Sequence, residues 1–348
     1  MTSSRPSGRL VGRIAGTYEL AETYHGAAIQ AEMELVTRRV SEVVPEATGL
    51  DLPGSPTTVV IGRADWIQRN VDSFTHLMEP ARKKIEERMM ESGSIDQGAV
   101  SFAGKLMHAE STAVMSVLSR RVLGQYELVL PTGERGDVVA YVGPNILQME
   151  RTHQFKPAEF RYWVALHELT HRAQFQGIPW MRDYFLSLVS ELVESAKPET
   201  GRLSKIVSEI SLRRNSGQQL VDERGIFGLF ATPEQNAVVD KVQALMSLLE
   251  GHGHVVMDRL GAEHLKSQDR MSRVLKGRLH IQDKHMAAFF RITGLEMKLK
   301  QYKMGEKFVL DVEREAGWKT ISLAFRGASS LPSLSEIEQP KTWLRRVA

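Results

Sequence analysis

The spacing of apolar residues predicts a predominantly helical chain with a few short strands near its middle. Apolar positions recur at helical intervals in three N-terminal segments, residues 17–45, 65–78 and 97–122. Residues 80–90 carry a run of charges, which is typical of a solvated helix face. We therefore expect the N-terminal part, residues 1–122, to be mainly helical.

Short runs rich in β-branched residues predict the strands, and they lie at residues 57–61, 126–130, 138–142 and 146–150. The second and third runs flank a turn-forming segment and can pair as a hairpin. The triplet Gly143-Pro144-Asn145 is expected to break the pattern before the fourth run. An edge strand of the resulting small sheet can pair with an extended peptide.

Further helical signals follow residue 156. A mostly buried helix begins at Pro157, a favoured first helical residue, and is expected to end at Gly177. Another begins at Thr232 and Pro233 and is expected to stop at Gly261. Further amphipathic segments are predicted at residues 180–195, 201–213 and 284–304.

The remaining organisation is simple. Residues after 327 are rich in Ser and Pro and predict a disordered or loop-rich tail that holds one last short helix. No repeat or long linker divides the chain, so we expect residues 1–348 to form a single compact unit. Its residues 123–348 are the candidate metal-binding part.

The most specific motif is His167-Glu168-Leu169-Thr170-His171, which reads H-E-x-x-H inside the helix predicted from Pro157. Residues four apart lie on one helix face, so His167 and His171 can direct two ring nitrogens at one zinc ion. Zinc lowers the pKa of water, and Glu168 is placed to act as general base and then general acid. We therefore predict a zinc-dependent hydrolase.

A catalytic zinc usually has three protein ligands, so a third residue is expected from elsewhere in the chain. The best cluster is Glu250-Gly251-His252-Gly253-His254, where Glu250 and His254 share one helix face. Glu250 is the favoured third ligand, and His254 is the alternative ligand or a residue that steadies substrate. Gly251 and Gly253 inside a helix also suit the close approach of another backbone.

The composition excludes several classes of protein. The 348 residues are 42% apolar and carry a net charge of +3, and no Lys/Arg run is interleaved with aromatic residues. We therefore expect a globular protein without a nucleic-acid partner. No apolar run has the length of a signal peptide or membrane span, so we expect a cytoplasmic protein without a membrane partner. The absence of cysteine leaves His and carboxylates as metal ligands.

Three segments together resemble a bacterial family of zincin-like metallopeptidases, some of whose members carry a hydrolase or deazaflavin-cofactor-biosynthesis label. The segments are residues 164–175, 248–252 and 294–298 with 301–302, and the resemblance extends over about residues 63–316. It implies a zincin-like α+β fold, bound Zn²⁺ and peptidase activity on a peptide or protein substrate. Two departures stand out. Arg172 occupies a position that is uncharged in the extended zincin pattern, and His254 stands where thermolysin-like enzymes have Asp.

These observations lead to one favoured function and two alternatives. The favoured one is a zinc metallopeptidase in which His167, His171 and Glu250 bind zinc and Glu168 is the general base. His254 and Tyr302 are candidates for stabilising substrate. Arg172 and His254 motivate the first alternative, a catalytically inactive scaffold of the same fold. The second alternative is a zinc hydrolase that acts on a non-peptide amide.

Overall fold

The computed structural model of the chain describes residues 24–92, 115–128, 130, 136–194, 233–278 and 295–347. The chain divides into two compact units, one of Met1–Gly177 with Leu260–Gln268 and the other of Ile178–Arg259 with Asp269–Ala348. The single unit predicted over residues 1–348 stays a prediction. None of the described helices combines the length and the apolar character needed to span a bilayer.

In its described residues, the first unit contains helices and one small sheet. The elements in chain order are α1 (Tyr24–Thr48), β1 (Thr57–Ile61), α2 (Arg63–Ser92), β2 (Gly124–Glu127), β3 (Val138–Val142), α3 (Gly143–His153) and α4 (Pro157–Gln176). A predominantly helical chain with a small sheet before α4 is the predicted fold class, which is thus confirmed. The predicted helix over residues 97–122 lies largely outside the described residues.

The sheet has β3 at its centre. β1 pairs with β3 in parallel, with Thr57 opposite Val138. β2 pairs with the other edge of β3 in the antiparallel sense, with Gly124 opposite Tyr141. The predicted pairing of the second and third runs is confirmed, although β2 begins two residues earlier than predicted. The last four residues of β3 are fully buried, as the continuous apolar run of a central strand requires.

The predicted fourth strand is wrong, because residues 146–150 lie in α3. Pro144 occupies the first turn of this helix, where its missing N–H is no loss. Ile146, Met149 and Glu150 are among the buried positions that follow it, and their spacing of three and four residues is helical. The Gly-Pro-Asn triplet therefore starts a helix, and β1 supplies the third strand of the sheet.

The second unit is helical in its described residues, and α6 also contributes its last turn to the first unit. Its elements are α5 (Met181–Glu194), α6 (Pro233–His264), α7 (Gln268–Arg278), α8 (Leu295–Ala316), the 3-10 helices Trp318–Phe325 and Ala328–Ser330, α9 (Leu334–Glu338) and α10 (Pro340–Val347). The predicted helix over residues 201–213 lies outside the described residues. The one over 284–304 is partly described, and it continues as α8 to Ala316.

Two predicted boundaries differ from the structure. Gly261 does not stop α6, which continues to His264; a Cβ at Gly261 would lie 2.7 Å from Cγ of Gln268, so close packing accounts for this glycine. The chain after residue 327 is not a loop-rich tail but a 3-10 turn followed by α9 and α10. Ser333 caps α9 in a capping box, and fully buried Trp343 packs on Phe308 of α8, which together order this segment.

Candidate metal centre

The H-E-x-x-H motif lies in the middle of α4. This helix begins at Pro157, as predicted, and ends at Gln176. The next residue, Gly177, donates a 2.8 Å backbone hydrogen bond to the carbonyl of Ala173. A Cβ at Gly177 would lie 2.7 Å from that carbonyl oxygen and would overlap the backbone of Asp51. Glycine is needed after α4 because the backbone of Asp51 approaches closely, and not because this position has a positive φ.

The two histidines of the motif face one another on α4. The Nε2 atoms of His167 and His171 are 3.1 Å apart, and their rings meet edge to face with centroids separated by 4.5 Å. Two nitrogens bound tetrahedrally to zinc at about 2.0–2.1 Å lie roughly 3.3 Å apart. The observed spacing therefore fits two imidazoles that share one ion.

Glu250, on α6, joins this pair. One ligand atom from each of His167, His171 and Glu250 lies within 4.8 Å of the other two, a group that could hold a metal ion among the described residues. Glu250 is 8% exposed, and the two histidines are half-buried. Two neutral imidazoles and one carboxylate are a donor set that catalytic zinc sites use, so these residues fit the metal that the motif implies.

Glu168 is buried against the sheet. It is 5% exposed, and it lies beside Gly124, the first residue of β2. A Cβ at position 124 would lie 2.7 Å from Cγ of Glu168 and 2.8 Å from its Oε1, so only glycine leaves room for this carboxylate. Nearby, burial raises the pKa of the Tyr141 phenol, the charge of Glu168 raises it further, and the hydrogen bond with Thr37 opposes both effects.

His171 has a hydrogen-bonding partner on its own helix. Its Nδ1 lies 2.9 Å from Oε1 of Gln174, a side chain that is completely buried. The sequence analysis did not single out Gln174. The available signal was a polar residue three positions after a candidate ligand, because side chains three residues apart meet on one face of a helix.

Arg172 is completely buried and forms a bidentate ion pair with Asp137, at 2.7 and 2.6 Å. Its guanidinium also donates to the carbonyl of Pro53 at 2.5 Å. The residue that departs from the zincin pattern is therefore paired with an acid and does not point to solvent. Arg172 thus ties α4 to the chain before β1 and β3, and it points to a structural use of this position.

The other candidate residues lie in different surroundings. His254 follows Glu250 by one turn on the same face of α6 and is half-buried. Tyr302 lies in α8, with its side chain outside the described part of the molecule. The roles suggested for both in stabilising substrate stay predictions. Arg161, another cation on α4, is held by two hydrogen bonds to Glu150, at 2.7 and 3.0 Å, and by an ion pair with Glu32.

Gly251, next to Glu250, lies at a tight crossing of α6 and α8. A Cβ at Gly251 would overlap the backbone of Gly305, and a Cβ at Gly305 would lie 3.2 Å from Cα of Gly251. Gly251 and Gly305 therefore let two helix backbones approach, which is the structural use considered above for Gly251. His252 points to other partners: it is 1% exposed and stacks on Trp318 with ring centroids 5.5 Å apart.

The chain is similar to a known protein family and to a solved structure. The model of the family "Zincin-like metallopeptidase" matches residues 9–344, so the chain belongs to the zincin-like metallopeptidases. A crystal structure described as that of "a putative hydrolase with a novel fold", from Chloroflexus aurantiacus, is similar to this chain with a TM-score of 0.69 and 28% sequence identity. The match covers 97% of this chain and 96% of that one. No curated protein matches the chain significantly.

Proposed function

We propose that this protein is a zinc-dependent peptidase in which His167, His171 and Glu250 hold zinc and Glu168 is the general base. The observation that carries the proposal is the grouping of those three ligand atoms within 4.8 Å of one another, beside a buried glutamate. Family membership supports a metal-dependent hydrolase. The zinc ligands and their chemistry are our inference from the donor set.

The side chains divide the chemistry between them. Bound zinc would supply Lewis acidity and lower the pKa of water. Glu168 would take a proton from the attacking water and return it to the leaving amine. Gly124 leaves room for the buried carboxylate of Glu168. Glu168 would therefore reach the attacking water and the leaving amine without a large change of its side-chain rotamer.

A peptide substrate is favoured over a small amide by the position of β2. The described sheet has the order β1-β3-β2, so β2 is an edge strand, and its first residue touches Glu168. An edge strand offers backbone N–H and C=O groups to an extended chain. A peptide that paired with β2 would bring its backbone amides close to Glu168. A small amide would gain nothing from this edge.

Metal analysis tests the zinc site. Protein purified without chelator should contain about one zinc per chain, and His167→Ala should lose it, since one site has one ion and needs each ligand. His76→Ala is the control, because His76 is exposed on α2. A wild-type protein that takes up no zinc on titration would overturn the proposed site.

Hydrolysis of a mixed-peptide library tests the reaction. Glu168→Gln should keep its zinc and lose about 10²–10⁴-fold in turnover, the usual contribution of a general base. Glu263→Gln, at an exposed position of α6, should cleave like the wild type. A zinc-loaded protein that cleaves no peptide would support the inactive scaffold instead. Cleavage of small amides alone would support the non-peptide hydrolase.

A further inference from the structure

The side chain of Gln174 forms a hydrogen bond with His171, one of the candidate zinc ligands. It lies three residues after His171, on the same face of α4. Its Oε1 is 2.9 Å from Nδ1 of His171, and its side chain is 0% exposed. A fully buried amide has few orientations open to it, so its position relative to the imidazole is well defined.

This contact determines which nitrogen of His171 is available to a metal. A neutral imidazole has one N–H and one lone pair. An amide oxygen only accepts hydrogen bonds, so Nδ1 carries the proton and donates a hydrogen bond to Oε1 of Gln174. The lone pair then lies on Nε2, the atom that faces Nε2 of His167 at 3.1 Å.

We propose that Gln174 is a positioning residue that holds His171 in the Nδ1–H tautomer and directs its Nε2 toward the metal. The proposal rests on the proposed function, because it assumes that His171 is a ligand. The orienting contact comes from α4 itself, within one turn of the ligand that it serves. Partners of this kind usually contribute about 10–100-fold to metal affinity.

Three variants separate this role from ordinary packing. Gln174→Leu keeps the approximate volume and removes the acceptor. Gln174→Glu keeps the acceptor and should hold the same tautomer. Gln176→Leu is the matched control: Gln176 lies on the same helix and donates to the hydroxyl of Tyr126 at 2.8 Å, away from the histidines. Gln174→Met provides a more adaptable apolar residue if the leucine variant does not fold.

Zinc affinity is measured by competition with a chromophoric chelator. We expect Gln174→Leu to bind zinc about 10–100-fold more weakly than the wild type. Gln174→Glu should bind at least as tightly as the wild type, and Gln176→Leu should bind equally well. If the apolar variants bind zinc like the wild type, the role of Gln174 is disproved while the zinc site stands. If the wild type binds no zinc, the proposed function itself fails.

The tautomer is read without metal or substrate. Protein labelled with ¹⁵N at histidine shows distinct shifts for protonated and unprotonated ring nitrogens, and His171→Gln identifies the signals of His171. The wild type and Gln174→Glu should show Nδ1–H at His171, and Gln174→Leu should show loss of that form. An unchanged tautomer in the leucine or methionine variant would overturn the proposal, whatever the stability of the variant.

Discussion

The helices that supply the candidate ligands, α4 and α6, are held in place by different means. Two buried arginines of α4, Arg161 and Arg172, form bidentate ion pairs with acids outside the helix. α6 instead crosses α8 at a glycine pair, Gly251 and Gly305, where backbone meets backbone. Buried ion pairs thus stabilise one helix, whereas the other has close backbone packing and a partly exposed ion pair between Arg259 and Glu313 of α8. Their responses to substitution should differ accordingly.

The ligands themselves differ in how they are brought together. His167 and His171 are one turn apart on α4, so the geometry of a single helix sets their separation. Glu250 comes from α6, so its distance from the histidine pair is not set by the geometry of one helix. A defect in packing should therefore affect the carboxylate before it affects the histidine pair.

The largest expected effect is on zinc affinity when one donor is removed. His171→Gln and Glu250→Gln should each weaken zinc binding by more than about 100-fold, since loss of a supporting partner alone costs about 10–100-fold. His254→Gln should change affinity less than about 10-fold. Competition titration with a chelator measures all three variants. A larger loss at His254 than at Glu250 would exchange their roles.

Much of this architecture could be predicted from local patterns. The β-branched runs at Thr57–Ile61 and Val138–Val142 are strands with the predicted bounds. The same reasoning failed at residues 146–150, because a short apolar run fits a strand or a buried helix face equally well. Pro144 favours the helix over the strand, since proline is common in the first turn of a helix.

At the site, spacing within one helix was enough to predict that His167 and His171 share a face. Arg172 could be recognised as unusual, but its partner Asp137 lies 35 residues away in the chain, and no local pattern connects them. The need for Gly124 beside Glu168 is also non-local. Contacts between distant segments are the part that residue patterns do not encode.

The next largest effect concerns the ion pair that holds α4. Asp137→Ala should lower the free energy of unfolding by about 3–5 kcal/mol, because it leaves the charge of fully buried Arg172 uncompensated. Arg172→Met should cost less, since Asp137 is 30% exposed and can be hydrated when its partner is lost. Urea denaturation measures both variants. Asp51→Ala, at an exposed position, should stay within about 0.5 kcal/mol of the wild type. Equal costs for the two partners would contradict this asymmetry.

The glycine crossing tests the other half of the comparison. Alanine normally stabilises a helix interior by about 1 kcal/mol over glycine. At Gly251 or Gly305, however, the added methyl meets backbone atoms that cannot rotate away, so we expect a loss of about 1–3 kcal/mol. Zinc affinity should fall as well, because Glu250 is adjacent. Gly327→Ala, which adds a methyl in open space, is the control for unfolding and zinc titrations. Stabilisation by Gly305→Ala would show that the helices can separate without cost.

Gly124 should respond differently, because its neighbour is a side chain and not a backbone. Gly124→Ala should displace the carboxylate of Glu168 and lower turnover by about 100-fold, the effect of a misplacement of about 1 Å. Zinc content should be unchanged, and stability should fall by about 1 kcal/mol or less, since the glutamate can rotate. Combining it with Glu168→Ala should abolish the stability cost. A cost that persists in the double variant would mean that the methyl group clashes with something other than Glu168.

The smallest expected effect is at the start of α4, where Glu159 accepts hydrogen bonds from the backbone N–H and the hydroxyl of Ser267, at 2.8 and 2.5 Å. These bonds, with help from Lys156, hold the pKa of Glu159 below its ordinary value of 4.5. The folded state therefore binds a proton less readily than the unfolded state. Its stabilising contribution is complete above pH 4.5 and is lost as the pH falls through the lowered pKa.

Glu159→Gln should therefore cost about 1 kcal/mol at pH 7. The difference from the wild type should shrink in urea denaturation at pH values progressively below 4.5. In a Ser267→Ala background, which removes the hydroxyl but keeps the backbone N–H donor, the glutamine substitution should cost less at pH 7 than it does in the wild type. A difference that grows toward acid would reverse the sign of this linkage. A difference that is undiminished in this background would assign it to the remaining donors, the backbone N–H of residue 267 and the ammonium of Lys156, which lies 3.2 Å from the carboxylate. The hydroxyl of Ser267 would then contribute little at the start of α4, and the contrast with α6 would be correspondingly weaker there.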